Sequence, residues 1–175
     1  AAALSSLIPM CMIPIVRGLE QDKASWALEA PELCESHAAA QPSAFCVLDA
    51  GAKGAGLFAT CHVKQGTYLF DYTGDLLDEL EYQARYPSRV SDYTAALRAP
   101  DGTMHFIDGH DAVRGSPARW MNHDDRKPNV GRRSFFPREA APRILMYALR
   151  DLHPGDELEW DYGKGFWDAH GGKVD

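Results

Sequence analysis

Residues 115–130 read GSPARWMNHDDRKPNV: small residues open the stretch and a Pro128-Asn129 turn closes it. In its middle an apolar pair, Trp120 and Met121, is followed at once by two hydrogen-bonding side chains, Asn122 and His123. An asparagine amide carries two donors and an acceptor with two lone pairs, so beside core residues it needs several partners. The step is therefore either a loop whose Asn and His cap a turn, or a place where something specific is held. The segments on either side decide between the two.

Outward from this stretch the texture is short strands and turns. Phe45–Leu48, Leu57–Thr60, Thr67–Tyr72, Tyr93–Leu97, Met104–Ile107 and Val130–Phe136 are strand candidates. Ile144–Leu149 has the continuous apolar run of a strand buried on both faces, and Pro154-Gly155-Asp156 turns the chain into Glu157–Tyr162. Asp75–Arg85 carries helix formers with acids in its first turn and ends before Pro87. Many strands, frequent turns and little helix imply a mainly β domain. Residues 1–44 differ: they are Ala-rich, with prolines at 9, 14, 31 and 42, and read as a leader or arm. Within them residues 25–35 suit a short helix and residues 7–16 an apolar strand or arm.

The chain has 175 residues, 45% of them hydrophobic, enough for one domain with a proper core. Its formal charge of -7 argues against direct affinity for a nucleic-acid backbone and suits a basic partner. The four cysteines, at 11, 34, 46 and 61, have no close CxxC spacing, and a chain of this size needs no disulfide, so reduced core cysteines in an intracellular protein are expected. The apolar run over residues 7–16 is too short to span a bilayer, and no membrane association is expected.

Taken singly, the remaining motifs are weak. Lys53-Gly54-Ala55-Gly56-Leu57 is a glycine-rich turn entering a strand, but the third glycine and following helix of a dinucleotide fingerprint are absent. Tyr72-Thr73-Gly74 closes one strand and Asp92-Tyr93 opens another. Glu157-Leu158-Glu159-Trp160-Asp161-Tyr162-Gly163 places Tyr162 at a strand end beside a turn. Each of these aromatics has an ordinary structural reading.

Their order is distinctive. A Gly-x-Gly turn, Gln-Gly-Thr before a strand, Tyr-x-Gly, a strand tyrosine and Ile-Asp-Gly come first. Arg-Trp-Met-Asn-His with Pro-Asn close behind follows, and Gly-Asp-Glu-Leu-x-Trp-Asp-Tyr-Gly comes last. This succession, over about Phe45 to Trp167, closely resembles the SET-domain protein lysine methyltransferases. The run Asp161–Trp167 resembles most the branch that modifies histone tails.

The resemblance implies a fold of several small sheets with few short helices and a knot-like crossing, or pseudoknot, near the C-terminus. It divides the chain into a leader over 1–44, the SET domain over 45–167 and a tail over 168–175. It implies S-adenosylmethionine as methyl donor, with S-adenosylhomocysteine as product, and a lysine entering from the opposite face through a narrow channel. Lys53, Gly54, Ala55 and Gly56 would face the cofactor, Asn122 and His123 would clasp it, and Arg119 would support them. Tyr162 is implied as the catalytic tyrosine, and Tyr93 would line the junction of the two pockets and share the catalytic and cofactor-facing positions. Tyr72, Trp160 and Phe166 would wall the substrate channel, with Trp167 over the adenine. Neutralising a lysine near pH 7.4 costs about 4 kcal/mol from a reference pKa of about 10.4. Desolvation and a neighbouring sulfonium charge both favour the neutral amine, so no carboxylate base is required.

The chain also departs from the family. Asp124-Asp125 stands where many relatives have Ser-Cys, and no cysteine follows Tyr162, so neither zinc nor any other metal is expected. Channel closure would fall to Phe166-Trp167, the N-terminal arm, a partner chain or a second copy in a homodimer. Trp160 replaces a Phe or Tyr that governs how many methyl groups fit, and its indole implies a mono- or dimethyl product. The expected substrate is a histone tail, which implies the nucleus. The alternatives are a lysine of a non-histone protein, or a catalytically silent SET module serving as a scaffold.

Overall fold

The computed structural model describes residues 44–172 apart from residue 113. Except for Ala44, the expected leader lies outside these residues, with its proposed helix over 25–35 and arm over 7–16, as do positions 173–175 of the tail.

The described residues form four small sheets. Strands β1 (Phe45–Asp49) and β2 (Ala55–Ala59) make an antiparallel hairpin from Phe45↔Ala59 to Asp49↔Ala55. Its connection is one 3-10 turn, Gly51–Lys53, and both Gly51 and Gly54 take the positive φ that such a tight reversal demands. Strand β3 (Tyr68–Tyr72) lies beside β9 (Arg143–Ala148), which pairs in turn with β8 (Val130–Phe135). A third sheet has the order β4-β6-β5, from Asp75–Leu77, Met104–Asp108 and Thr94–Arg98. The fourth pairs β7 (Asn122–His123) in parallel with β10 (Glu159–Trp160).

The central strand β9 explains the apolar run seen in the sequence. Ile144 and Met146 turn into the main core, while Leu145 packs on the other face with Tyr68, Phe135 and Tyr147, so all three are fully buried. Leu57, Leu97, Met121, Leu152 and Leu158 complete the core and lock the sheets onto one another. Cys46 is only half-buried and Cys61 is exposed, and both are free; the expected core placement therefore fails for these two.

The helix expected over 75–85 begins later. Asp75–Leu77 pairs with β6 instead, because Leu76 and Leu77 find Ile107 and Phe106 opposite them. Gly74 permits the turn: any side chain there would run into the backbone of Asp108. Helix α1 (Glu79–Arg85) starts from a capping box, in which Asp78 accepts the Glu81 N–H at 2.8 Å and Glu81 accepts the Asp78 N–H at 2.9 Å.

The C-terminal strand runs between β2 and the 122–129 loop. Leu158 N–H donates to Leu57 O at 2.7 Å, and Asn129 N–H donates to Glu159 O at 3.0 Å. The Asn129 side chain, itself buried, gives a hydrogen bond to Glu157 O at 2.6 Å and takes one from Glu159 N–H at 2.8 Å. The loop thus grips the strand at several points, the crossing expected near the C-terminus. A short helix α2 (Lys164–Ala169) follows.

Candidate active site

Where β5, the end of β3 and the C-terminal segment meet, the surface opens into a cleft of about 330 Å³. Tyr72, Ala95, Trp160, Tyr162 and Phe166 contribute to its walls, and Ala118 and Met121 also line it. Tyr162 is fixed at both ends of the residue: its hydroxyl donates to Met121 O at 2.7 Å and its N–H donates to His123 Nδ1 at 3.1 Å. The first bond leaves the hydroxyl's own lone pairs to accept from a ligand. Burial pushes the Tyr162 phenol up to about 12, so it is protonated throughout the physiological range. Tyr72 is likewise pushed upward by burial, and its hydroxyl donates to Tyr93 O at 2.8 Å.

The remaining aromatics pack around these phenols. The Trp160 ring lies 5.2 Å from that of Tyr162 and 6.1 Å from that of Tyr72. Phe166 meets Tyr162 edge-on at 4.7 Å, and Trp167 meets His123 edge-on at 4.9 Å. Six-residue helix α2 is too short to persist alone, so these contacts hold it in place. His170, just past its end, adds a polar tie: Nε2 lies 3.0 Å from Asp92 Oδ1 and Nδ1 lies 2.8 Å from Phe166 O.

Behind the cleft sit the Asn-His step and the glycine-rich turn. Because Tyr162 donates to Nδ1 of His123, that nitrogen is the acceptor and Nε2 bears the proton. This buried Nε2 has no hydrogen-bond partner among the described residues, the Asp125 carboxylate standing 3.9 Å away, and neither have the buried Nε of Arg119 and Nε1 of Trp167. Asn122 Nδ2 donates to Ala55 O at 3.2 Å and to Glu157 Oε1 at 2.7 Å. Gly56 is needed for that approach: a Cβ there would stand 2.9 Å from both Glu157 Oε1 and Ala50 Cβ. Lys53 pairs with Glu159 and, at 3.4 Å, with Glu157; the bond to Glu159 is the main cause raising its pKa. Gly54 and Ala55 are exposed at the turn.

The sequence-derived candidates therefore fall into two joined groups. Tyr72, Arg119, Trp160, Tyr162 and Phe166 line the cleft; Gly56, Asn122, His123 and Trp167 lie behind it, with Lys53, Gly54 and Ala55 at the adjoining turn. Tyr93 adjoins the cleft: its carbonyl accepts from Tyr72, its phenol acts electrostatically on Tyr162 and Tyr72, and the Arg119 guanidinium lies 4.6 Å from its ring and 4.7 Å from the Trp120 ring. Three residues not singled out from the sequence matter here. Glu157 and Asn129 organise the crossing strand, and Arg132 enters the cleft, with its guanidinium 5.7 Å from the Trp160 ring centre. The Pro128-Asn129 turn was a visible signal and Glu157 opens the run to Gly163, but Arg132 had none.

The SET domain profile matches residues 54–163, more than half of the sequence. The chain belongs to the SET-domain family. Human histone-lysine N-methyltransferase EHMT1 is 29% identical to this SET domain over 120 residues, covering 67% of this chain and 9% of that protein. The chain thus spans under a tenth of that relative's length. Among solved structures, the methyltransferase domain of human histone-lysine N-methyltransferase SETMAR superposes with a TM-score of 0.59 at 27% identity, covering 67% of this chain and 44% of that one. CpSET8 from Cryptosporidium gives a TM-score of 0.61 at 25% identity, covering 86% and 69%. The mainly β architecture of small sheets and few short helices agrees with these neighbours.

Proposed function

We propose that this SET domain, spanning residues 45–167, is an S-adenosylmethionine-dependent protein-lysine N-methyltransferase. The observation that carries the reading is the protonated Tyr162 hydroxyl, held by Met121 O in an aromatic-walled cleft directly in front of the Asn122-His123 step. The donor set fits the cofactor. Three buried N–H groups, on Arg119, His123 and Trp167, lack hydrogen-bond acceptors among the described residues, and S-adenosylmethionine is rich in them: a carboxylate, ribose hydroxyls and adenine nitrogens. A buried donor without a partner costs about 1–3 kcal/mol, which a ligand acceptor would relieve. Asn122 would add its Oδ1, which accepts no hydrogen bond among the described residues. Gly54 and Ala55 leave the adjoining turn open, and a side chain at Gly54 would meet nothing within 4 Å.

When bound, the cofactor supplies a methyl group on a positively charged sulfonium. The chain's own part is placement and exclusion of water. Tyr162 and Tyr72 bring hydroxyl oxygens to the cleft, and Trp160 and Phe166 shield it. A lysine amine held there in line with the methyl group needs orientation more than a base. Packing of Phe166 on Tyr162 supports a channel that this chain's own tail helps to close. Trp160, buried between Tyr72 and Tyr162, supports a mono- or dimethyl product. The relatives' names support a histone substrate and with it the nucleus.

The test is a transfer assay with labelled S-adenosylmethionine on core histones, read by mass spectrometry. Mono- or dimethyllysine is expected, falling at least about tenfold in Tyr162→Phe with cofactor binding kept. Cofactor binding without transfer to any lysine would favour the silent module. Absence of cofactor binding in calorimetry would sink the enzyme.

A further inference from the structure

The cleft has a charge opposite to that of the chain. Overall the protein carries -7, yet the cleft is lined by three guanidinium groups, from Arg89, Arg119 and Arg132, against one carboxylate, Asp92. Asp92 is already held by His170. Two of the three cations also have internal occupation. Arg89 lies 3.6 Å from Glu79, and Arg119 is stacked on the Tyr93 and Trp120 rings. Arg132 is held more loosely: its guanidinium lies 5.7 Å from the Trp160 ring centre, farther than either Arg119 ring contact. A guanidinium offers five N–H donors, and the hydrogen bond made by this one is a single contact, Nη2 to Ala96 O at 3.0 Å. Among the described residues no carboxylate lies within ion-pair distance of it, and Asp161 acts on it only from farther away. Crowding by surrounding protein pushes its pKa down, although the residue stays accessible to solvent through the cleft.

A cation that faces a binding cleft without a counter-charge favours an arriving anion, which it can meet with charge-assisted hydrogen bonds. It also repels a cationic peptide. We infer that Arg132 selects substrates in which the target lysine has an anionic side chain, a carboxylate or a phosphoryl group, one or two residues away. This rests on the methyl-transfer reading and narrows its substrate from any lysine to a lysine in acidic context. The spacing follows from position. Arg132 stands over Trp160, which would wall the lysine channel, and reaches the carbonyl of Ala96 on β5, which among the described strands pairs with β6 alone. Because the guanidinium lies beside the Trp160 ring, an anion that it meets belongs to a residue near the target lysine in the peptide. A Lys/Arg-rich tail meets this cleft well only when phosphorylated beside the target.

The experiment uses the full chain and a set of peptides with one central lysine, identical except for flanking Asp, phosphoserine, Ala or Arg. Binding is followed by fluorescence anisotropy and transfer by label from S-adenosylmethionine. At low salt, Asp- or phosphoserine-flanked peptides should bind about tenfold or more tightly than the Arg-flanked one, in keeping with a charge-assisted pair. Which of the two is preferred identifies the source of the anion. Arg132→Met should level the series, and Arg132→Lys should restore part of it; circular dichroism and cofactor binding verify that both variants fold. Equal binding across the series, or a preference for Arg, overturns the inference while leaving methyl transfer standing. Weaker S-adenosylmethionine binding in Arg132→Met, with the peptide series unchanged, also overturns it, since the guanidinium would then serve the cofactor. An anionic preference without transfer sustains the inference and removes the enzyme reading. Failure to bind any peptide overturns both.

Discussion

Asn129 holds the crossing strand through one buried amide, which satisfies Glu157 O and Glu159 N–H together. Asn129→Ala would leave both backbone groups without their partner, and at about 1–3 kcal/mol each the domain should lose about 2–6 kcal/mol in urea unfolding. Tyr162, Trp160, Phe166 and Trp167 were legible from the sequence because they lie within one short run with a recognisable order. Glu157 and Arg132 were not, because their meaning depends on distant partners. Glu157 is defined by Asn122, 35 positions away, and Arg132 by Ala96, 36 positions away.

Helix α1 and strand β6 illustrate the same point for elements. Acids at the start of 75–85 correctly announced a helix, but its onset was decided by β6, which claims Asp75–Leu77 as a strand. The junction is then tied by Asp108. Its carboxylate takes hydrogen bonds from Arg85 and the Tyr86 hydroxyl, both at 2.8 Å, and from His110 N–H at 3.0 Å. Burial pushes the Asp108 pKa upward, but these bonds outweigh it and hold the group below its usual range. A depressed carboxylate stabilises the fold above its unfolded pKa, and that contribution fades as pH falls through the folded one. Asp108→Asn should therefore destabilise the domain by about 3 kcal/mol at neutral pH and flatten part of the loss seen in the wild type below about pH 4. Unfolding curves across pH check this, and hydrogen exchange should show α1 opening first. The cleft would feel it as well, since Tyr82 of α1 stacks on Phe106 at 4.1 Å and both line it.

Across the whole molecule, short local strands are assembled by distant contacts. Phe58 bridges to Glu157, Val63 to Leu152, and β7 to β10. Such topology folds slowly, so refolding followed by tryptophan fluorescence should fall in the millisecond-to-second range typical of non-local β proteins. A chain ended before Glu157 should show no cooperative unfolding, because Leu158 and Trp160 are missing from the core and the 122–129 loop has nothing to grip. Sheet composition was foreseeable from strand spacing; which strands become neighbours was not, since pairing across a hundred residues leaves no local mark.

The crossing strand also bears on biosynthesis. Phe58 leaves the ribosome 99 residues ahead of its partner Glu157. At about 5–20 residues per second, β2 waits roughly 5–20 s with that partner still unmade. During this interval its apolar residues, Leu57 among them, are available to chaperones and to neighbouring nascent chains. Codons that slow translation between β2 and β10 should therefore lower soluble yield without altering a single residue of the finished protein.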